Sequence, residues 1–563
     1  MTEFHGPPLD PRTIPSDLTL AEFMLDYHHP LRSPQNGIPC LIDDATGRKV
    51  SLQELRERTM ALAQGLRGRY NIGEGDVVLI CSPNHVDFPV AIWAPQYLGA
   101  IFTGANPNST PNELLYQIKI TGATMIIAHL DALETAREAA SLAGIPLDRV
   151  LLLNYHGNNK VDAISVPALI SESVSRGKTF VRRRRMAPGD AKKKIVALSL
   201  SSGTTGPPKA VAISHFAIIA NLVQLSTANP DAQKVFTPGD VVSGLLPFFH
   251  VAGLGFNLHW MLFCATTVVV TPKFSLVGVL DSIARYRIQH LLLVPPAAIA
   301  FCKTPVVKKY DLSKVKYIGC GAAPMTSDLQ DLLSQLCPQA AIGQCYGTTE
   351  TPACLTMTPL TQQFTSGSAG RLLPGMHARI VKSDGTLAGY DETGELVVKS
   401  PSLSLGYYNN QAATDEAFTS EPDRWYRTGD EVKMNKAGEL FITGRLKELI
   451  TVRAFQVSPV ELEGLILNHP DVSDACVIGV PDDYSGEVPR AYVVLSEAAS
   501  RKAKTEPEAI QASIAKLVAD NKSKYKHLAG GVVFVPFIPK NPSGKILRRV
   551  LKEQVKEEMK AKL

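Results

Sequence analysis

The sequence predicts an α/β protein: a large N-terminal domain with parallel-rich sheets flanked by helices, a β-rich subdomain, and a small α+β domain at the C-terminal end. Three observations carry that expectation. Helix-like and strand-like segments alternate over residues 51–131, and the pattern returns over 242–319. Past Gly367 this gives way to short alternating runs separated by turn signals. The chain has 563 residues, too many for one simple core, so more than one domain is expected.

The elements follow in order. Residues 52–69 carry apolar side chains at helical spacing, 77–81 form a short apolar strand, 88–102 have a buried-helix pattern, and 125–128 read as another strand. Further strands are expected at 242–246, 268–270, 291–294 and 317–319. Strands alternating with helices build parallel sheets covered on both faces. Residues 241–272 contain no Asp, Glu, Lys or Arg, and a membrane span needs ~20 apolar residues. Yet Pro247, His250, Asn257 and His259 interrupt the run, and unpaired polar groups are costly in hydrocarbon. A buried strand, turn and helix is the reading, with no transmembrane span. Asp384-Gly385 and Lys436-Ala437-Gly438 mark turns between short runs such as 395–399, the pattern of antiparallel hairpins. A boundary is expected at 444–447: an N-terminal domain over 1–444 and a C-terminal domain over 445–563, with a helix at 459–467.

Composition narrows the function classes. Hydrophobic residues make up 45% and charged residues 20%, the balance of an ordinary soluble globular chain. The net charge of +5 is too small to argue for nucleic acid. The basic runs 182–185 and 192–194 flank Pro188-Gly189 without interleaved aromatics, so they read as a solvated linker and not a nucleic-acid surface. Nine cysteines form no CxxC pair and no zinc-like Cys/His spacing, which points to a reducing compartment. The N-terminus lacks a charged start followed by an apolar run, so no secretory signal is read there.

The most informative stretch is Leu198-Ser199-Leu200-Ser201-Ser202-Gly203-Thr204-Thr205-Gly206-Pro207-Pro208-Lys209. An apolar segment runs into hydroxyls, glycines and a lysine. Glycines let backbone N–H groups turn toward a ligand, and successive N–H groups form an anion-binding concavity. Ser201, Ser202, Thr204 and Thr205 add donors, and Lys209 adds a charge. The spacing is [ST]SGTTGxPK and not that of a Walker A loop. Four more stretches follow: Tyr346-Gly347-Thr348-Thr349-Glu350, Tyr426-Arg427-Thr428-Gly429-Asp430, Gly444-Arg445-Leu446-Lys447-Glu448, and Asn541-Pro542-Ser543-Gly544-Lys545-Ile546-Leu547-Arg548-Arg549. Together, in this order, they resemble the adenylate-forming enzymes: acyl-CoA ligases, luciferases and peptide-synthetase adenylation domains. The resemblance runs from about Val50 to the C-terminus. Residues 455–463 (Phe-Gln-Val-Ser-Pro-Val-Glu-Leu-Glu) look most like the 4-coumarate–CoA ligase and firefly luciferase branch.

That resemblance implies a hinge near Lys447, a C-terminal lid that reorients between two half-reactions, and a set of roles. Ser201, Ser202, Gly203, Thr204, Thr205, Gly206 and Lys209 would cradle the ATP phosphates. Thr349 would donate to the α-phosphate, and Glu350 would ligate Mg²⁺, a hard cation that favours carboxylate and phosphate oxygens. Asp430 would accept from the ribose hydroxyls, with Arg445 adding a ribose or phosphate contact. Tyr346 would stack on adenine, with Gly321, Ala322 and Gly347 around the nucleotide and Gln456 joining the ATP/AMP set. Lys545 would reach the α-phosphate from the lid. His250 would face the acyl carboxylate, beside an acyl pocket of Val251, Ala252, Phe256, Gly319, Ala322, Cys345 and Gly347. Ala252 and Gly319 imply a roomy apolar cavity, fit for a bulky aryl acid or a medium-to-long acyl chain. One departure stands out. The hinge-proximal loop reads Leu449-Ile450-Thr451-Val452-Arg453-Ala454-Phe455-Gln456, where close relatives have a lysine at 451 and a glycine at 454.

The expectation is therefore an ATP-dependent acyl-CoA ligase that makes an acyl-AMP and transfers the acyl group to coenzyme A. Two alternatives stay open at this point: an acyl-adenylate enzyme whose acceptor is a carrier protein or oxygen, and a catalytically silent binding protein. The expected partners are a small carboxylic acid, ATP and CoA. The last residues, Ala561-Lys562-Leu563, approximate the peroxisomal Ser-Lys-Leu address, so a peroxisomal import receptor is an expected partner and the peroxisome the expected location, with the cytoplasm otherwise.

Overall fold

A computed structural model describes residues 2–154, 162–176, 186–201, 207–229, 235–321, 325, 327–360, 364–420, 423–453, 455–482, 484–541 and 544–560. Residues 202–206, Ala322, Ala454, the basic run 182–185 and the tail 561–563 lie outside them.

Two parallel-rich sheets form the bulk of the large domain. In the first, the strand order is Gly406–Tyr407, Lys209–Ser214, Ile195–Ser201, Ile101–Ala105, Val77–Cys81, Ala123–Ala128 and Val150–Leu152. Its central pairs are parallel, and Ile195–Ser201 turns back antiparallel onto Lys209–Ser214. In the second, Leu41–Asp43, Thr267–Val270, Val241–Gly244, His290–Leu293, Tyr317–Cys320 and Ala341–Tyr346 run parallel. Helices cover these sheets and are set by local signals. Ser51 caps Leu52–Tyr70 from its side chain, and Asn71 ends it in the left-handed conformation. Thr110 and Glu113 form a reciprocal capping box on Pro111–Thr121, satisfying backbone donors that a helix start leaves open.

The structure differs from the sequence pattern at one boundary. The helix expected over 88–102 ends at Tyr97, and a strand opens at Ile101. Both pieces are buried, so helix and strand share an apolar run that periodicity cannot divide. The uncharged segment 241–272 forms a strand, a wide π-type helix at Gly253–Trp260, and the strand Thr267–Val270. No helix among the described residues is long and apolar enough to cross a membrane.

The β-rich part is an antiparallel sheet in the order Phe4–His5, His377–Val381, Gly394–Lys399, Tyr426–Met434 and Leu440–Arg445. Arg445 closes its last strand opposite Asp430. Beyond it, Ile450–Val452, Phe455–Val457, Val472–Asp482 and Gly486–Leu495 build a separate sheet, joined in parallel by Val532–Phe534. This small domain has its own two apolar clusters. One is centred on Ile450, Leu462, Val477 and Ile514, the other on Cys476, Tyr492 and Leu551. Among the described residues, neither draws a buried one from before Ile450.

Candidate active site

The ends of the parallel strands and the facing edge of the small domain enclose one cleft of about 1490 Å³. The two large sheets meet there at Gly104: a Cβ on this residue would stand 2.7 Å from the Phe249 carbonyl oxygen and 2.8 Å from its Cα. Glycine lets the segment carrying Phe249 and His250 pass over the end of strand Ile101–Ala105. Ligand clefts at strand ends are the usual outcome of open α/β sheets.

Of the residues expected from the sequence, Ser201, Lys209, His250, Val251, Ala252, Phe256, Gly319, Gly321, Cys345, Gly347, Thr349, Glu350, Arg445 and Lys545 line this cleft. Ser202, Gly203, Thr204, Thr205, Gly206 and Ala322 lie outside the described residues. Tyr346 and Asp430 stand behind the wall. The Tyr346 hydroxyl donates to Asp430 Oδ2 at 2.6 Å, and Arg445 Nε lies 3.0 Å from Asp430 Oδ1. Burial and the adjoining carboxylate push the Tyr346 phenol up, so it stays a donor. Burial opposes the Arg445 charge, but Asp430 and Glu448 outweigh it and hold the guanidinium above its ordinary range.

Gln456 is placed differently from the expectation. It is exposed on the hairpin Ile450–Val457, paired across it with Thr451, and is not part of the cleft wall. The reason is geometric. This small domain turns the Lys545 edge toward the cleft, and the hairpin lies elsewhere on its surface.

Glu350 is buried at 4% exposure. Its Oε1 accepts from Ser201 Oγ at 3.0 Å and from Tyr407 Oη at 2.8 Å. The Lys209 ammonium lies 4.9 Å from the centroid of the Tyr407 ring, a cation–π distance. Tyr407 was missed from sequence. It sits on the short strand Gly406–Tyr407 paired with Lys209–Ser214, and a tyrosine in Leu405-Gly406-Tyr407-Tyr408 carries no chemical signature. Gly347 had a signal, and its geometry explains the residue type: a Cβ there would stand 2.0 Å from the Ala353 carbonyl oxygen.

Lys545 occupies the turn after Pro539, where its N–H donates to Asn541 Oδ1 at 2.8 Å and Asn541 N donates back to the Lys545 carbonyl at 2.8 Å. Gly544 makes that turn at φ +81, and a Cβ there would stand 3.3 Å from Val294 Cγ2 of the large domain. Burial first, then the Arg445 charge, lower the Lys545 ammonium to about 8, against the pull of Glu448, Asp430 and Glu350. Across from it, burial and the Lys545 charge lower His250 to about 4. The imidazole is therefore neutral near pH 7. Its Nδ1 accepts from Ala252 N at 3.3 Å, which leaves the proton on Nε2. The arrangement brings a cation, a neutral imidazole donor and a buried carboxylate to one apolar-walled space.

The small domain is held in this position by contacts across the cleft rim. Lys303 Nζ donates to the carbonyls of Leu467 at 2.8 Å and Val472 at 3.0 Å. Asn468 donates to Asp328, and Lys447 at the domain junction pairs with Glu416 at 3.2 Å.

Comparison with known proteins places the chain in a family. The chain matches the family described as AMP-binding enzyme over residues 32–408 and the AMP-binding enzyme C-terminal domain over residues 461–545. It is 34% identical over 524 residues to probable 4-coumarate–CoA ligase 3 of Dictyostelium discoideum, covering 91% of this chain and 92% of that one. It is 35% identical over 531 residues to a phenylacetyl-CoA ligase of Aspergillus niger, covering 92% and 94%. Among solved structures it is similar to ATP-bound MatB from Rhodopseudomonas palustris, with a TM-score of 0.79, 26% identity, and coverage of 95% of this chain and 98% of that one.

Proposed function

The chain belongs to the AMP-binding enzyme family and is an ATP-dependent acid–thiol ligase; we propose that its acid is a hydrophobic aryl or arylalkyl carboxylate. The reaction proceeds through an acyl-AMP, from which the acyl group passes to coenzyme A. The relatives named above are CoA ligases, which favours CoA as the acceptor over a carrier protein, oxygen or a catalytically silent role.

The observation that carries the proposal is that Lys545 and His250 share a cleft whose lining also includes Val251, Ala252, Phe256 and Gly319. In the first step a carboxylate oxygen attacks the α-phosphorus and the bond to pyrophosphate breaks. The Nε2–H of neutral His250 would hold the acid's carboxylate in line. The Lys545 ammonium would stabilise negative charge gathering at phosphorus, the place where a fixed donor lowers the barrier most. Lys209 and Ser201 would take the outer phosphates, and Thr349 the α-phosphate. Arg445, which lines the cleft anchored on Asp430, would take a ribose or phosphate contact, with Asp430 behind it as the expected partner of the ribose hydroxyls. In the second step the thiol sulfur bonds to the acyl carbon and AMP departs.

Glu350 would hold Mg²⁺. The site fits a hard cation: a buried carboxylate at the cleft wall, with two hydroxyls, Ser201 and Tyr407, gathered on one of its oxygens. The bound ion would neutralise phosphate charge. The preference for an aryl or arylalkyl acid rests on the relatives named for 4-coumarate and phenylacetate and on the small side chains at 252 and 319, where added bulk would close the pocket.

ATP–pyrophosphate exchange over a panel of carboxylic acids, followed by CoA addition and mass detection of thioesters, tests this reading. Exchange and thioester with phenylpropenoic or phenylacetic acids are expected. Exchange confined to small polar acids would overturn the aryl assignment. We also propose that Ala561-Lys562-Leu563 directs the protein to peroxisomes. A fluorescent fusion should lose its puncta when these three residues are removed, while ligase activity stays unchanged. Puncta that persist would overturn the assignment.

A further inference from the structure

One outer edge of the antiparallel sheet gathers three metal-ligating side chains that take no part in the ligase reaction. Strand Phe4–His5 pairs antiparallel with His377–Val381, and the register sets His5 directly opposite His377 and Phe4 opposite Ala378. The two imidazole Nδ1 atoms lie 2.8 Å apart. Glu3 Oε1 lies 3.4 Å from His377 Nδ1 and 4.0 Å from His5 Nδ1. All three donor atoms fall within 4.8 Å of one another.

At 2.8 Å the two Nδ1 atoms are at hydrogen-bond distance, one ring donating and the other accepting. Two facing imidazole nitrogens can share a single proton, and protonating both would place two cations in contact. A divalent ion can take the place of that shared proton, accepting a lone pair from each ring. Bonds of ~2.0–2.2 Å to nitrogen and oxygen put two ligands of a tetrahedral ion ~3.3 Å apart. The Glu3–His377 separation already matches. The histidine pair would open by roughly half an ångström, and Glu3 would approach His5 by somewhat more. The side chains have room for this, with exposures of 56% for His5, 43% for His377 and 29% for Glu3. Water can complete the coordination.

The carboxylate is also presented correctly. Arg379 donates to Glu3 Oε2 from Nε at 3.0 Å and from a terminal nitrogen at 2.9 Å, which turns Oε1 toward the rings. Arg379 is itself seated over the Trp425 ring, 4.0 Å from its centroid. Such outer partners fix the orientation of a ligand, while the nearby guanidinium charge lowers affinity. Two imidazoles and one carboxylate select a borderline transition ion over hard Mg²⁺. We propose that Glu3, His5 and His377 form a surface site for a divalent transition cation of the Zn²⁺ type, which clasps the N-terminal strand to the sheet.

The test uses the full-length enzyme without ATP, in excess Mg²⁺, with Zn²⁺ titrated calorimetrically and Co²⁺ titrated by visible absorption. Wild type should bind one equivalent more than His377→Ala and His5→Gln, with cobalt bands of nitrogen and oxygen ligation that lack the intense near-ultraviolet transition of thiolate. Zn²⁺ should slow amide hydrogen exchange at Phe4 and His5 in wild type alone. Both variants should keep pyrophosphate exchange, which establishes that they fold. Equal stoichiometry in wild type and both variants would overturn the site, as would displacement of the extra equivalent by millimolar Mg²⁺. Loss of folding in His377→Ala leaves the decision to His5→Gln, whose side chain is the more exposed.

Discussion

The ammonium of Lys303, in the large domain, donates to the carbonyl of Leu467 in the small one at 2.8 Å. A second bond from the same group to the Val472 carbonyl makes it a clamp on the end of helix Pro459–Leu467. Here it joins the two domains while Lys545 faces the cleft, so it would favour this arrangement over the reoriented lid that the family resemblance implies.

Lys303→Ala should therefore slow adenylation and spare thioester formation from synthetic acyl-AMP. A hydrogen bond to a charged donor contributes ~1.5–3 kcal/mol at most, and Lys303 is partly exposed, so the expected loss is roughly 3- to 10-fold. Pyrophosphate exchange alongside single-turnover transfer to CoA measures both steps. Equal loss in the two would refute the clamp.

Lys545→Ala should cost on the order of 10²–10³ in adenylation, as loss of one preorganised donor does, and leave the second step intact. The pH dependence follows from its depressed value. In the free enzyme the cation is present below about 8 and lost above it, so adenylation kcat/KM should fall as pH rises through about 8. An ordinary lysine would hold its charge to ~10.4. Bound triphosphate should move the descending limb of kcat upward. For stability the sign is opposite: between about 8 and ~10.4 the unfolded chain keeps a proton that the folded one has released, so this group's contribution to stability rises with pH. A flat profile from pH 7 to 9.5 would contradict the role.

His250→Ala should lower adenylation ~10- to 100-fold, the loss of a hydrogen bond to a carboxylate, while a nucleotide titration shows near-normal ATP affinity. Because the imidazole is held at about 4, wild type should show no inflection near pH 6.5. Lost ATP binding with unchanged acid dependence would count against the assignment.

Thr451→Lys should act on thioester formation alone. Thr451 is exposed, and its N–H donates to Glu487 Oε2 at 3.1 Å on the hairpin that also carries Gln456. That hairpin is away from the cleft in this lid position, so a new charge there should leave pyrophosphate exchange unchanged. Parallel changes in both half-reactions would show that the loop is not step-selective.

Arg548→Met should destabilise the protein. Arg548 is buried, donates to Glu463 Oε1 at 2.7 Å, and also reaches Glu448. Burial raises the Glu463 carboxyl even with this partner present. Removing one half of a buried pair costs ~3–5 kcal/mol. Urea unfolding followed from the small domain should register it, and a shift under ~1 kcal/mol would mean the pair is solvated in practice.

Much of the catalytic cleft was legible because five short motifs stand in the order found in the adenylate-forming enzymes, a resemblance that assigned roles no single residue type could. Lys209, Thr349, Glu350, Arg445 and Lys545 each sit in a hydroxyl-, glycine- or turn-rich stretch, and the structure brings all five to one space. Tyr407 was not legible, since its contribution is a hydroxyl aimed at Glu350 from a two-residue strand. The strand Phe4–His5 was invisible for a similar reason: two residues have no periodicity, and their pairing with His377 spans almost four hundred positions. Gln456 was readable as a motif residue, but its distance from the cleft belongs to the lid position, which no linear pattern encodes.

The self-contained apolar clusters of the small domain have a calorimetric consequence. Since neither takes a buried side chain from before Ile450 among the described residues, the lid reorientation that the family resemblance implies would leave both clusters intact and expose only what the rim contacts cover. Heat capacity tracks newly wetted apolar area. The swing should therefore be nearly silent in heat capacity, with its free energy set by a handful of exchanged hydrogen bonds, so a single side chain such as Lys303 can set the balance between the two half-reactions.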